Sequence, residues 1–235
     1  MTIRPLLAAV VGLALLGTAQ AALAAHPSAF TARYNVSQGG TPMGVATVTL
    51  RAGDNGEWIY QKSVKGTSGL AAMLGASTDE TSHFRWKGDV PEAISYDYQL
   101  QAAIKNKHRH LTVDWGNKQV TVDEGKGPLT YAAVSGMVER NTTALALGLA
   151  LRDGSKDVTL PVAVRQEVET QHFKAVGKEN IKTPAGSFDA IRVERTDADR
   201  DFNAWYVPAR YPLPVKLAQR DGGNLVLELV SYKVD

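Results

Sequence analysis

The chain has 235 residues, 26 Lys and Arg against 24 Asp and Glu, and no cysteine. That near balance of charge argues against a nucleic-acid partner, which usually meets a clustered basic surplus. The missing thiols remove cysteine nucleophiles, thiolate metal sites and disulfide frameworks together, and the length suffices for a fold held by its core alone.

In chain order, the first expected element is a leader. Arg4 precedes an apolar run over residues 6–16, and two Ala-x-Ala sites follow at residues 19–21 and 22–24. One cation, a short hydrophobic stretch and small residues read as a secretory signal peptide over residues 1–24. The run falls short of the roughly 20 apolar residues of a membrane span. The expectation is therefore a periplasmic protein without a membrane span after cleavage, residues 25–235 forming one β-rich domain.

Strands follow one another. Phe30, Ala32, Tyr34 and Val36 alternate with polar residues, and Gly39-Gly40 turns the chain into a strand over 43–51. Such period-2 alternation marks half-buried antiparallel strands. Trp58, Tyr60 and Val64 mark the next, and Asp79-Glu80 reads as surface charge. Ile94, Tyr96, Tyr98, Leu100, Ala102 and Ile104 form one long apolar face, then Leu111, Val113 and Trp115 another. In the second half, Val158, Leu160, Val162 and Val164 suggest a strand that Pro161 confines to an edge or bulge. Thr183-Pro184-Ala185-Gly186-Ser187 reads as a hairpin turn, and strands over 202–207, 215–219 and 225–229 end the chain.

Two short helices interrupt them. Residues 66–75 suggest one or two turns, and Asn141 is placed to cap residues 142–152 before the Asp153-Gly154 stop. The Asn141-Thr142-Thr143 triplet also matches a glycosylation acceptor. The fold class expected is all-β: a large curved antiparallel sheet or incompletely closed barrel of about ten to twelve strands, with a helix plugging its open face.

Catalytic signatures are sparse. Gly66-Thr67-Ser68-Gly69-Leu70 falls short of a nucleophile elbow, Gly125-Lys126-Gly127 falls short of a phosphate loop, and no His-Glu-x-x-His occurs. His108 and His110 share a strand face with Asp114, an arrangement open to metal binding, to one imidazole serving as the base of a hydrolase, or to a solvated hairpin end. Asp197, Asp199 and Asp201 are open to a hard cation or to an exposed hairpin tip. The expected site is instead aromatic. Tyr34, Trp58, Tyr60, Tyr96, Tyr98 and Trp205 lie in expected strands, where they line a concave ligand surface or pack as ordinary sheet core. No catalytic residue, metal or cofactor is assigned.

The order of several motifs resembles the bacterial family called domain of unknown function 3108. They are Phe30-Thr31-Ala32-Arg33-Tyr34, Met43-Gly44, Pro91 before Tyr96-Asp97-Tyr98, Val113-Asp114-Trp115, residues 179–188, Trp205-Tyr206-Val207-Pro208 and Leu213-Pro214-Val215-Lys216. The resemblance implies an exported envelope protein of Gram-negative bacteria without an assigned activity. In architecture the layout is also similar to the half-barrels of periplasmic lipoprotein carriers. The function expected is non-catalytic binding or carriage of an apolar or amphipathic envelope ligand, such as a lipid or acyl chain. The alternative is an adaptor that binds an envelope protein or polysaccharide.

Overall fold

Alternation along the chain makes strands, and short turns make sequence neighbours pair. β1 (Phe30–Gln38) turns at Gly39-Gly40, both at positive φ, into β2 (Thr41–Ala52), which runs beside β3 (Trp58–Gly66). After α1 (Gly69–Met73) come β4 (Ser77–Lys87), β5 (Val90–Ala102), β6 (Lys105–Asp114), β7 (Gln119–Asp123), β8 (Leu129–Ala132) and β9 (Val138–Glu139). Then follow α2 (Thr143–Arg152), β10 (Asp157–Ala163), β11 (Val168–Thr183), β12 (Gly186–Arg195), β13 (Phe202–Tyr206), β14 (Pro214–Gln219) and β15 (Leu225–Val234). This computed structural model describes residues 26–198, 202–220 and 224–235. The leader expected over residues 1–24, together with Asp199 and Asp201, lies outside them.

All of these strands form one sheet, in the order β8-β7-β6-β5-β4-β3-β2-β1-β15-β14-β13-β12-β11-β10-β9. Neighbours are antiparallel except β9 and β10, which run parallel over Val162–Ala163 and Val138–Glu139. The first and last strands meet in the middle of the sheet, Phe30 opposite Val234 and Gln38 opposite Leu225. The sheet's free edges are therefore the short internal strands β8 and β9.

The sheet curls until those edges approach each other across a seam without a ladder. Side chains bridge it. The Tyr131 hydroxyl on β8 donates to the Val164 carbonyl just after β10. The Glu124 carboxylate accepts from Arg109 at 2.6 Å and Arg165 at 2.7 Å. Met137 adds a backbone link, its carbonyl accepting the Ala93 N–H of β5 at 2.9 Å.

Fifteen strands stand where ten to twelve were expected. β8 and β9 escaped because they have four and two residues. β4 escaped for another reason: its inward residues Thr78, Glu80 and Ser82 are polar, so no apolar alternation announces them. Ile104, expected to continue the β5 face, sits in the β5–β6 turn and is 85% exposed. The Pro161 expectation holds: Pro161 lies on β10, and β9 pairs only with Val162 and Ala163.

One end of the interior is filled. Phe30, Leu50, Phe84 and Leu229 are buried there, and Trp86 stands edge-on to Phe84 at 4.8 Å between ring centroids. Aromatic pairs of this geometry add about 0.5–1.5 kcal/mol beyond area burial.

α2 is enclosed by the sheet. Its Leu residues recur with period 2, yet Ala and Leu are strong helix formers, so the segment coils. Coiling sorts them into two stripes: Leu145 and Leu149 face the cluster containing Phe30 and Tyr34, while Leu147 and Leu151 face Val158 and Phe173. A helix apolar all round belongs inside a protein. Gly148 permits the closest approach, because a Cβ there would collide with the Pro212 carbonyl.

The helix cap departs from expectation. Asn141 does not cap α2; its amide donates to the Ser82 hydroxyl at 2.9 Å, and it is buried. Thr142 stands at the cap position without a side-chain cap bond, and the Glu139 carboxylate holds the turn before it, accepting the Asn141 N–H at 2.7 Å and the Thr142 N–H at 3.1 Å.

Candidate functional site

Where the apolar packing stops, the interior is hollow. A cavity of about 1440 Å³ occupies the end of the curled sheet nearest α1 and the β5–β6 turn. Its wall takes residues from β1 to β6 on one side and from β10 to β15 on the other. Val48, Val64, Leu213, Leu217, Leu225 and Leu227 give it long apolar stretches. Ala71 of α1 lies at the rim, where Leu70 and Met73 are 67% and 83% exposed.

Four of the six aromatics expected at a ligand surface line this cavity: Tyr34, Tyr60, Tyr96 and Tyr98. Their hydroxyls differ in role. Tyr34 donates to the Pro214 carbonyl at 3.0 Å, tying β1 to β14, and Tyr96 donates to the Glu80 carboxylate at 2.7 Å. Burial pushes the phenols of Tyr34, Tyr60 and Tyr96 well above the ordinary value, so all three stay neutral. Tyr98 is raised too, first by burial and then by the Glu80 charge.

Two of the six lie elsewhere. Trp58 has the same inward parity as Tyr60, but it sits at the filled end, 6.0 Å from the ring of Trp86. Trp205 alternates with the buried Ala204 and Tyr206, so it faces outward. Its indole donates to Glu179 at 2.7 Å, and Lys216 lies 5.7 Å from its ring.

The polar members of the cavity were not legible in the sequence. Glu80, read there as surface charge, lines the interior and pairs with Lys62 at 2.8 Å. Burial alone would raise its carboxyl, but the Lys62 ammonium and the bonds from Lys62 and Tyr96 hold it below the ordinary range. Glu139 is the contrasting carboxyl: burial raises it, and the bonds from Ser82, Asn141 and Thr142 only partly offset that. Arg140, between Glu139 and Asn141, extends into the cavity with its side chain exposed to that space. The lining carries eight Lys and Arg but only four Glu.

The histidine arrangement dissolves on inspection of partners. His108 reaches the cavity rim, whereas His110 bonds Asp97 at 2.6 Å on the outer face. Asp114 instead closes the β6–β7 turn by accepting the Asn117 amides at 2.8 and 2.9 Å. His83 and His172 lie apart, beside Glu57 and Thr159. Among the described residues no group of three His, Asp or Glu stands close enough to hold a metal ion. Asp197 is engaged by Arg195 at 2.8 Å and by the His172 N–H, and the Arg195 bond holds its carboxyl down at about 2.

No described helix is long and apolar enough to cross a membrane. The family model for proteins of unknown function DUF3108 matches residues 33–230, nearly the whole sheet. No curated protein matches the chain. Among solved structures, the chain is similar to the crystal structure of a beta-barrel-like protein of domain of unknown function DUF1849 from Brucella abortus. The two share 9% identity at a TM-score of 0.51, over 89% of this chain and 99% of that one. At that identity the likeness concerns the fold.

Proposed function

We propose that this chain, which belongs to the DUF3108 family of proteins of unknown function, is an exported, non-catalytic carrier of an amphipathic envelope ligand such as a lipid. The observation that carries this reading is the 1440 Å³ cavity enclosed by the sheet. Small-molecule pockets usually measure roughly 300–1,000 Å³, so this one has room for a guest with long acyl chains. Its apolar stretches suit such chains, and its tyrosines and charged groups suit a head group. The exposed Leu70 and Met73 on α1 and Ile104 in the β5–β6 turn, close in sequence to the lining residues Ala71 and Asn106, support the same reading, since an apolar guest needs a greasy path out of water.

The adaptor alternative draws less support. An adaptor that adds a partner's strand needs a free edge of some length. Here the edges are the four residues of β8 and the two of β9.

The test is retention. The full chain, purified, is incubated with envelope lipid extract, and what co-purifies is identified by mass spectrometry. A Leu100→Trp variant, which fills the cavity from a half-buried lining position, is treated alike. Stoichiometric lipid on the parent and little on the variant is expected. No retained lipid on the parent would overturn the reading.

A further inference from the structure

Of the four arginines that line the cavity, three are paired and one is not, while Lys65, Lys107 and Lys126 line it as exposed ammonium groups. Lys62 holds Glu80, Arg109 and Arg165 share Glu124, and Arg195 is held by Glu169 and Asp197. Arg140 lines the same space with no hydrogen bond or ion pair among the described residues. Its position is nevertheless built. The flanking Glu139 and Asn141 are 1% and 3% exposed, and their bonds to α2 and Ser82 fix the backbone between them.

The surroundings of the guanidinium are the inward groups of neighbouring strands. Its charge acts on Glu80 of β4 and on Tyr96 and Tyr98 of β5, lowering each. Glu80 already receives Lys62 and the Tyr96 hydroxyl, so it has little left to offer Arg140. Glu139 is itself engaged, its carboxylate accepting the Asn141 and Thr142 N–H groups just before α2. A guanidinium presents a planar fork of donors that matches carboxylate or phosphate oxygens two at a time.

We propose that Arg140 anchors an anionic head group, a carboxylate or phosphate, on an amphiphile whose apolar chain lies along Val48, Val64, Leu213, Leu217 and Leu227. This rests on the carrier reading above and narrows its ligand to acidic amphiphiles. Neutral lipids with the same chain fit the walls but leave the guanidinium unpaired.

The experiment measures equilibrium binding of palmitate, hexadecyl phosphate, hexadecanol and inorganic phosphate to the full chain and to Arg140→Gln and Arg140→Lys. The acid and the phosphate ester should bind on the order of tenfold to a hundredfold more tightly than the alcohol, the range of a charge-assisted pair. Arg140→Gln should erase that preference and leave hexadecanol binding unchanged. Arg140→Lys should restore part of it, because one point charge replaces a two-pronged contact. Equal binding of acid and alcohol would overturn the head-group assignment while leaving the carrier reading intact. Binding of inorganic phosphate without any amphiphile would overturn both, as would binding of none of the four. A preference that survives in Arg140→Gln would also refute the assignment.

Discussion

Gly148→Ala tests whether α2 is as tightly enclosed as its position implies. By helix propensity alone the change should stabilise, because Gly in a helix interior costs about 0.5–1 kcal/mol relative to Ala. The packing predicts the opposite sign. An added Cβ would lie 2.7 Å from the Pro212 carbonyl carbon and 3.3 Å from Cε1 of Tyr206, with the Pro212 oxygen closer still. Tyr206 is fully buried and donates its hydroxyl to the Ala144 carbonyl at 3.0 Å, so it cannot swing aside freely. Relief must come from moving backbone, at the upper end of the roughly 1–3 kcal/mol that overpacking costs. Net of the propensity gain, a loss of about 2 kcal/mol is expected. For a domain of this size that lowers Tm by about 4–8 °C. Thermal unfolding followed by circular dichroism measures it, with Ala150→Gly on the same helix as a reference for propensity plus the loss of one half-buried methyl. An unchanged or raised Tm for Gly148→Ala would refute the enclosure argument.

Four further outcomes follow from the charged groups and the seam. Glu92 is 1% exposed and accepts from Arg85 at 2.8 Å, Lys87 at 3.0 Å and the Gly136 N–H at 2.8 Å. Because both cations are about half exposed, Glu92→Ala should cost only about 2 kcal/mol in urea unfolding; an unchanged midpoint would contradict the role given to this carboxylate. Acid should destabilise the protein below the ordinary carboxyl value of 4.5, since Glu80 and Asp197 titrate lower when folded and the unfolded chain binds more protons there. Glu139 has the opposite sign: its folded value is raised, so its contribution is lost as pH climbs through that value; Glu139→Gln, which turns one of its two accepting oxygens into an NH2 facing the Asn141 or Thr142 N–H, should lower Tm at neutral pH. A Tm of the parent that is flat from neutral pH down to about pH 2 would refute the first of these, and an unchanged Tm of the variant the second. Tyr131→Phe removes a bridge across the seam worth about 1 kcal/mol. Hydrogen exchange should quicken about fivefold in β8, while a uniform change across β1 and β15 would refute the seam as the weak line.

Strand identity was written in the residues because alternation is a local property. The faces through Phe30, Ala32 and Tyr34, the turn at Pro184-Ala185 and the Asp153-Gly154 stop all needed only a few neighbours to be read. The family resemblance rested on the same local runs. Parity could also have separated Trp205 from Tyr206, since adjacent strand residues face opposite sides. What local pattern could not carry was depth and closure. Trp58 and Tyr60 share a face, yet one packs in a filled end and the other lines a hollow, which depends on strands far away in sequence. β4 hid because a wall beside a cavity tolerates Thr78 and Glu80, and because Ser82 is buried by bonding to Asn141, which together remove the contrast on which pattern reading relies. Arg140 carried no signal at all: its meaning comes from Glu80, Lys62 and Tyr96 having already paired with one another, and only long-range folding brings those groups together.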